Sequence, residues 1–301
     1  MFDFRYHVVS LAAVFFALVI GILVGVGIAG RGVVDKADRQ IYQNEISQLQ
    51  ADLDAGDTHV KALEQKQQAT ATLIQQAYPA LMSGRLAGKR VAVLVVGRDD
   101  GSTGASVDRA LHDAGALGVV RYRALKVPVD AATLGGPLVG HKQLASYAGE
   151  SKLGRLGSEL GRELVHGGKT PLWDALSGLL VEERRDAGNA PADAVVVIRA
   201  VEPQGGDTGR LLTAIYGSLA SAGVPAVGVE ATGADPTAIP AFMRADLSTV
   251  NDVDEPLGRL ALALLLAGGS EGNFGLGKET APDGVLPPVV PLEPAVTTTG
   301  A

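Results

Sequence analysis

The run "FRYHVVSLAAVFFALVIGILVGVGIAGRG" near the start constrains this chain more than any other stretch, because from Val8 to Gly30 it carries no charged side chain. About 20 apolar residues suffice for a helix to cross the hydrocarbon core of a bilayer, and this run exceeds that. A secretory signal would have a shorter apolar region, about 7 to 15 residues, followed by a small-residue cleavage site. "VGIAG" around Ala29 supplies such residues, so a cleaved signal is the competing reading. A buried soluble helix is the third, although such helices usually carry a polar stripe. The length favours an uncleaved transmembrane anchor over residues 1–30. Within it Gly21 and Gly25 form a GxxxG step, extended by Gly27 and Gly30, of the kind that lets two helix backbones approach closely in lipid. Arg5 precedes the span while Arg31, Lys36 and Arg39 follow it, which by positive charge alone mildly favours a cytoplasmic C-terminal part.

After the span the composition turns to Gln, Asp, Ala and Lys, with no proline before Pro79. A heptad register fits residues 31–79: Tyr42, Leu49, Leu63 and Ala77 take a positions, and Ile46, Leu53, Val60 and Ile74 take d positions. Gly56, Gln67 and Thr70 are the weak layers. Apolar residues sustained over about five heptads indicate a coiled-coil stalk. Together with the glycine step it points to a parallel homodimer. The alternative is one helix folded back on the rest of the chain, bent at Gly56. About 45 helical residues at 1.5 Å each would give the stalk a reach of some 65 Å.

Beyond a linker at 80–87 the periodicity changes. "RVAVLVV" (90–96) is a continuous β-branched run, as expected of a strand buried on both faces. "VVRYRALKV" (119–127), "DAVVVIRAV" (193–201) and "PAVGVEAT" (225–232) read as further strands, and "LSTVNDV" as a short fifth, separated by helical segments. The alternation predicts a doubly wound, mostly parallel α/β domain over residues 88–270. The Gly- and Pro-rich residues 271–301 read as a largely flexible tail. No second segment reaches spanning length without charge, and no series of alternating ten-residue segments marks a transmembrane barrel. The fold class expected is therefore α/β, with an N-terminal transmembrane helix and a coiled-coil stalk.

Chemistry is sparsely signalled. A net charge of −7 and the lack of a basic, aromatic-rich surface argue against nucleic acid as a partner. Zero cysteines remove disulfides, thiolate nucleophiles and Fe–S clusters. The histidines (His7, His59, His112, His141, His166) show no i, i+3 or i+4 pairing, and Met1, Met82 and Met243 are scattered, so no local metal motif exists. Asp99 and Asp100, in "GRDDGSTG" after the first strand, read as turn chemistry before a cation or acid–base pair. Ser102, Thr103 and Ser106 lack a GxSxG-type signature. Asp246, Asp252, Asp254 and Glu255 form an acidic stretch in which Asp254 is expected to cap the following helix, with Pro256 in its first turn. No residue is singled out as catalytic, cofactor-binding or metal-ligating, and the chain is not expected to be an enzyme.

The opening "MFDFRYHVVSLAAVFFALVIGILVG", the heptad stalk, the α/β pattern, "STVNDVDEPLGRLALALLLAG" and the closing "GNFGLGKETAPDGVLP" together resemble the actinobacterial MctB family, over about residues 1 to 288. The resemblance implies a role in copper efflux or tolerance, copper as the only metal concerned, and an envelope address labelled outer membrane. It also implies that the C-terminal domain lies outside the cytoplasmic membrane, which reverses the mild charge count. A related SteB branch implies a different role: an extracytoplasmic, membrane-anchored factor working with a membrane partner, SteA, to control a peptidoglycan hydrolase at division.

Overall fold

Helix α1 (Phe4–Ala29) contains one continuous apolar stretch, Tyr6–Gly27, of 22 residues, none of whose best window is buried by the rest of the chain. It is the one helix among the described residues long and apolar enough to cross a membrane. The computed structural model describes residues 4–29, 33–98, 101–277 and 280–291, which divide into two compact units at 1–71 and 72–301. Helix α2 (Val33–Met82) follows and keeps its apolar heptad residues from Tyr42 to Leu63 on the surface of the single chain. It does not stop at Pro79, where the sequence suggested the stalk would end. Pro79 lies inside the helix, Ser83 N donates to Pro79 O at 3.0 Å, and Met82 and Leu86 are fully buried. Proline removes one helical hydrogen bond, but burying the apolar residues of the last turn offsets that loss. The proposed linker at 80–87 is thus partly helix and partly core.

The second unit is built on a seven-stranded sheet. In chain order its elements are β1 (Arg90–Val96), α3 (Ser102–Asp113), β2 (Gly118–Leu125), α4 (Ala131–Val139), α5 (Leu153–His166), α6 (Pro171–Leu180), β3 (Val181–Asp186), β4 (Ala194–Arg199), α7 (Gly206–Ala220), β5 (Ala226–Val229), α8 (Ile239–Met243), β6 (Ser248–Val250), α9 (Pro256–Leu266) and β7 (Asn273–Phe274). The strand order is β3-β2-β1-β4-β5-β6-β7, parallel throughout except for β3, which pairs antiparallel with β2. The five strands expected from the sequence are all present.

Strand β1 shows why its run has no polar alternation. Ala92, Leu94 and Val96 enter the core beneath α4 to α8, while Val91, Val93 and Val95 enter the core shared by α3, α9 and the end of α2. Side chains alternate faces along a strand, so a strand covered on both sides must be apolar at every position. On the first face α5 lies hard against α7, because a Cβ on Gly157 would stand 2.5 Å from Leu211 O and one on Gly161 3.0 Å from the Ser218 side chain. Glu163, on α5, caps α6 from outside by accepting from Leu172 N (3.1 Å) and Trp173 N (3.3 Å). Burial pushes its carboxyl up to about 7 despite those donors.

Two strands were not foreseen. β3 ("VEERRD") exposes every residue after Val181, and β7 comes from the segment read as flexible tail. That segment is tied down: Asn273 N donates to Asp283 at 2.7 Å, Gly275 N to Gly284 O at 3.0 Å, and Arg85 to Val290 O. Residues 292–301 of the tail lie outside the described residues.

Candidate functional site

The carboxyl ends of parallel strands are where open α/β sheets place their sites. Here the ends of β5, β6 and β7 bring together two segments far apart in sequence, "STVNDVDEPLG" and "GNFGLGK". Asn251, directly after β6, is the joint. Its Oδ1 accepts from Leu276 N at 2.8 Å, and its amide donates to Leu276 O at 2.6 Å and to the Thr280 hydroxyl. One buried side chain therefore fixes the loop that follows β7.

Asp252 beside it is 1% exposed, and neither carboxylate oxygen has a hydrogen-bond partner among the described residues. Glycines make this burial possible: a Cβ on Gly258 would collide with the Asp252 carbonyl, and one on Gly275 would run into the Asn251 amide and stand 3.0 Å from Asp252 Oδ1. Burial, reinforced by the charges of Asp254 and Glu255, pushes the Asp252 carboxyl up to about 6. Nothing in the sequence distinguishes Asp252 from its acidic neighbours, since its burial comes from the packing of α9 and the β7 loop.

Asp254 does not cap α9. Its Oδ1 accepts from Thr232 N (2.7 Å) and Thr232 Oγ1 (3.0 Å), tying down the loop after β5. The N-cap residue is Glu255, which makes no side-chain capping bond, and Pro256 opens the helix as expected. The Asp254 carbonyl also accepts from Arg259 Nη1 at 2.6 Å. Arg259 Nε in turn donates to the Tyr78 hydroxyl oxygen at 3.3 Å, and Tyr78 donates to Asp113 at 3.0 Å. The Arg259 guanidinium stands 5.6 Å from the Tyr78 ring centroid. The last turns of α2 are thus held to α3 and α9 by a buried arginine, and burial raises the Tyr78 pKa.

The other residues singled out from the sequence are dispersed. Gly21 and Gly25 have open space around them on α1. Tyr42, Ile46, Leu49, Leu53, Val60 and Leu63 are each more than half exposed in the single chain, and Ile74 is half-buried. Asp99 and Asp100 lie outside the described residues. Ser106 Oγ donates to Ser102 O at 3.0 Å, an ordinary intrahelical bond. The five histidines are exposed and separate, and Met82 is packed in the core. Among the described residues no three His, Cys, Asp or Glu side chains are placed to hold a metal ion.

One apolar helix of membrane-spanning length, a long polar helix and a doubly wound α/β unit define the class of protein. The chain belongs to the MctB family, described as copper transport outer membrane protein, whose model matches residues 1–283. No curated protein matches the chain.

Proposed function

We propose that this chain is a single-pass, non-enzymatic envelope protein that serves copper efflux or tolerance as a paired accessory rather than as a pore by itself. Copper enters as cargo, through the family's description. One observation carries the paired, anchored form: α2 exposes Tyr42, Ile46, Leu49, Leu53, Val60 and Leu63, at 52% to 69%, in heptad register. An apolar a/d row in water is buried by the same row of a second, parallel copy. The α/β unit would then stand outside the cytoplasmic membrane.

Pairing is tested by single cysteines at Leu49 or Leu53 in this cysteine-free chain. Crosslinked dimers in membranes are expected, and failure of both positions overturns the pair. The role is tested by cell-associated copper in a strain lacking the protein, with raised copper expected under copper stress. The second reading is a division scaffold that works with a SteA-type membrane partner to control a peptidoglycan hydrolase. The Tyr78, Asp113 and Arg259 joint favours it, because it builds Tyr78, within the last turns of α2, into the α/β unit that would bind the partner. Normal copper with chained or lysis-prone cells would decide for the scaffold.

A further inference from the structure

β1 is hydrogen-bonded to β2 on one side and to β4 on the other, so the chain reverses its direction of winding between β1 and β4. Ligand crevices of open α/β sheets form at the carboxyl side of such a reversal. At the carboxyl end of β4, between α7 and α8, lies a groove of about 410 Å³ lined by Arg199, Gln204, Leu212, Tyr216, Ala241 and Arg244, among others. That volume falls within the range of small-molecule sites, about 300 to 1,000 Å³.

Two polar atoms of the residues lining this groove are enclosed donors lacking an acceptor. Tyr216 is 3% exposed and its hydroxyl is buried without a partner. Arg199 donates from Nη2 to Thr237 O at 2.7 Å, while its Nε is buried and unpartnered. The Tyr216 ring packs edge-on to Phe242 at 5.3 Å between centroids. The Glu230 carboxylate feels the charge of Arg199, and its oxygens accept from Thr237 Oγ1 (2.7 Å) and Ala238 N (2.6 Å). Arg244 adds a second, exposed guanidinium to the lining. Gly209, in the first turn of α7, completes the lining on that side. Leu212, Ala241 and Ala245 supply an apolar wall.

We propose that this groove binds a small ligand carrying an oxyanion, a carboxylate or a phosphate group, on a compact apolar body. The oxyanion pairs with the Arg199 and Arg244 guanidiniums, while the apolar body lies along Leu212 and Ala241. Recognition of this kind is charge-assisted and does not depend on copper.

The full chain in detergent micelles, titrated by calorimetry with phenyl phosphate, benzoate and neutral phenol, tests the site. One-site binding of an anion is expected, with phenol weaker by about tenfold or more. Tighter phenyl phosphate identifies a phosphate site, and tighter benzoate a carboxylate site. Arg244→Ala and Arg244→Gln are each expected to weaken the anion about tenfold without lowering the ligand-free melting temperature. Arg199→Ala is avoided because Arg199 also holds the Thr237 carbonyl. Binding of neither anion, phenol binding as tightly as the anions, or variants that bind like the parent would each overturn the proposal.

Discussion

The two units use apolar residues in opposite ways. In residues 72–301 the large apolar side chains form two cores within one chain, and even Arg121, Arg123 and Asp252 are enclosed. In residues 1–71 the described large apolar side chains are all exposed. An apolar residue has no fixed destination, only a medium in which its surface is removed from water. For the α/β unit that medium is its own interior. The length and composition of α1 fit lipid, and under the function proposed above the row on α2 is covered by a second copy.

The contrast can be broken most forcefully at α1. Arginine at both Val19 and Ile20 places two charges mid-span, at about 2.5 to 3.5 kcal/mol each, and should shift the chain from the membrane to the soluble fraction on centrifugation. In the α/β unit, Trp173→Ala should lower stability by about 3 to 5 kcal/mol, read by thermal melting, because Trp173 is fully buried and its indole donates to Leu160 O at 3.0 Å. Leu53→Ala should leave that melt unchanged and weaken pairing by about 1.5 to 3 kcal/mol per copy, read by sedimentation. If Leu53→Ala destabilised the α/β unit instead, the division of roles would fail.

Asp252 sharpens the comparison from within. Its carboxyl, raised to about 6, binds its proton more tightly in the folded than in the unfolded chain. The stability it contributes is therefore fully present below the unfolded pKa and is lost as pH rises through about 6. Asp252→Asn should flatten that pH dependence and raise stability at pH 7 by on the order of 1 to 3 kcal/mol, seen in melts across pH 4 to 8. Glu163 carries the same sign, with its loss centred higher, at about 7. The smallest effect is expected at the exposed Arg210–Glu150 pair (2.7 Å), where Glu150→Ala should leave the melt unchanged.

What was legible in the sequence was whatever depends on local pattern. The spanning helix announces itself as an uncharged run, and β1, β2, β4, β5 and β6 as short segments containing β-branched residues, two buried arginines in β2 notwithstanding. β3 was hidden because an edge strand facing water can be wholly charged, and "VEERRD" has no apolar alternation to read. β7 is two residues long in a Gly- and Pro-rich segment, held by bonds to residues distant in sequence such as Asn251 and by Asp283. Pro79 looked like a stop because the burial that carries the helix past it is tertiary. The groove between α7 and α8 was invisible for the same reason: Arg199, Tyr216 and Arg244 are separated by tens of residues.

The charged edge has a consequence for a chain that pairs. Two copies joined through their stalks would keep their sheets at an effective concentration in the millimolar range for as long as they stay tethered. Sheets that meet so often can fuse edge to edge into one continuous ribbon, a trap that no dilution would relieve. On β3, Glu182, Glu183, Arg184, Arg185 and Asp186 meet an incoming strand with ions that it would have to desolvate. At the far side β7 offers only two residues of template. The sheet is thus bordered so that twins can live side by side without growing into one body.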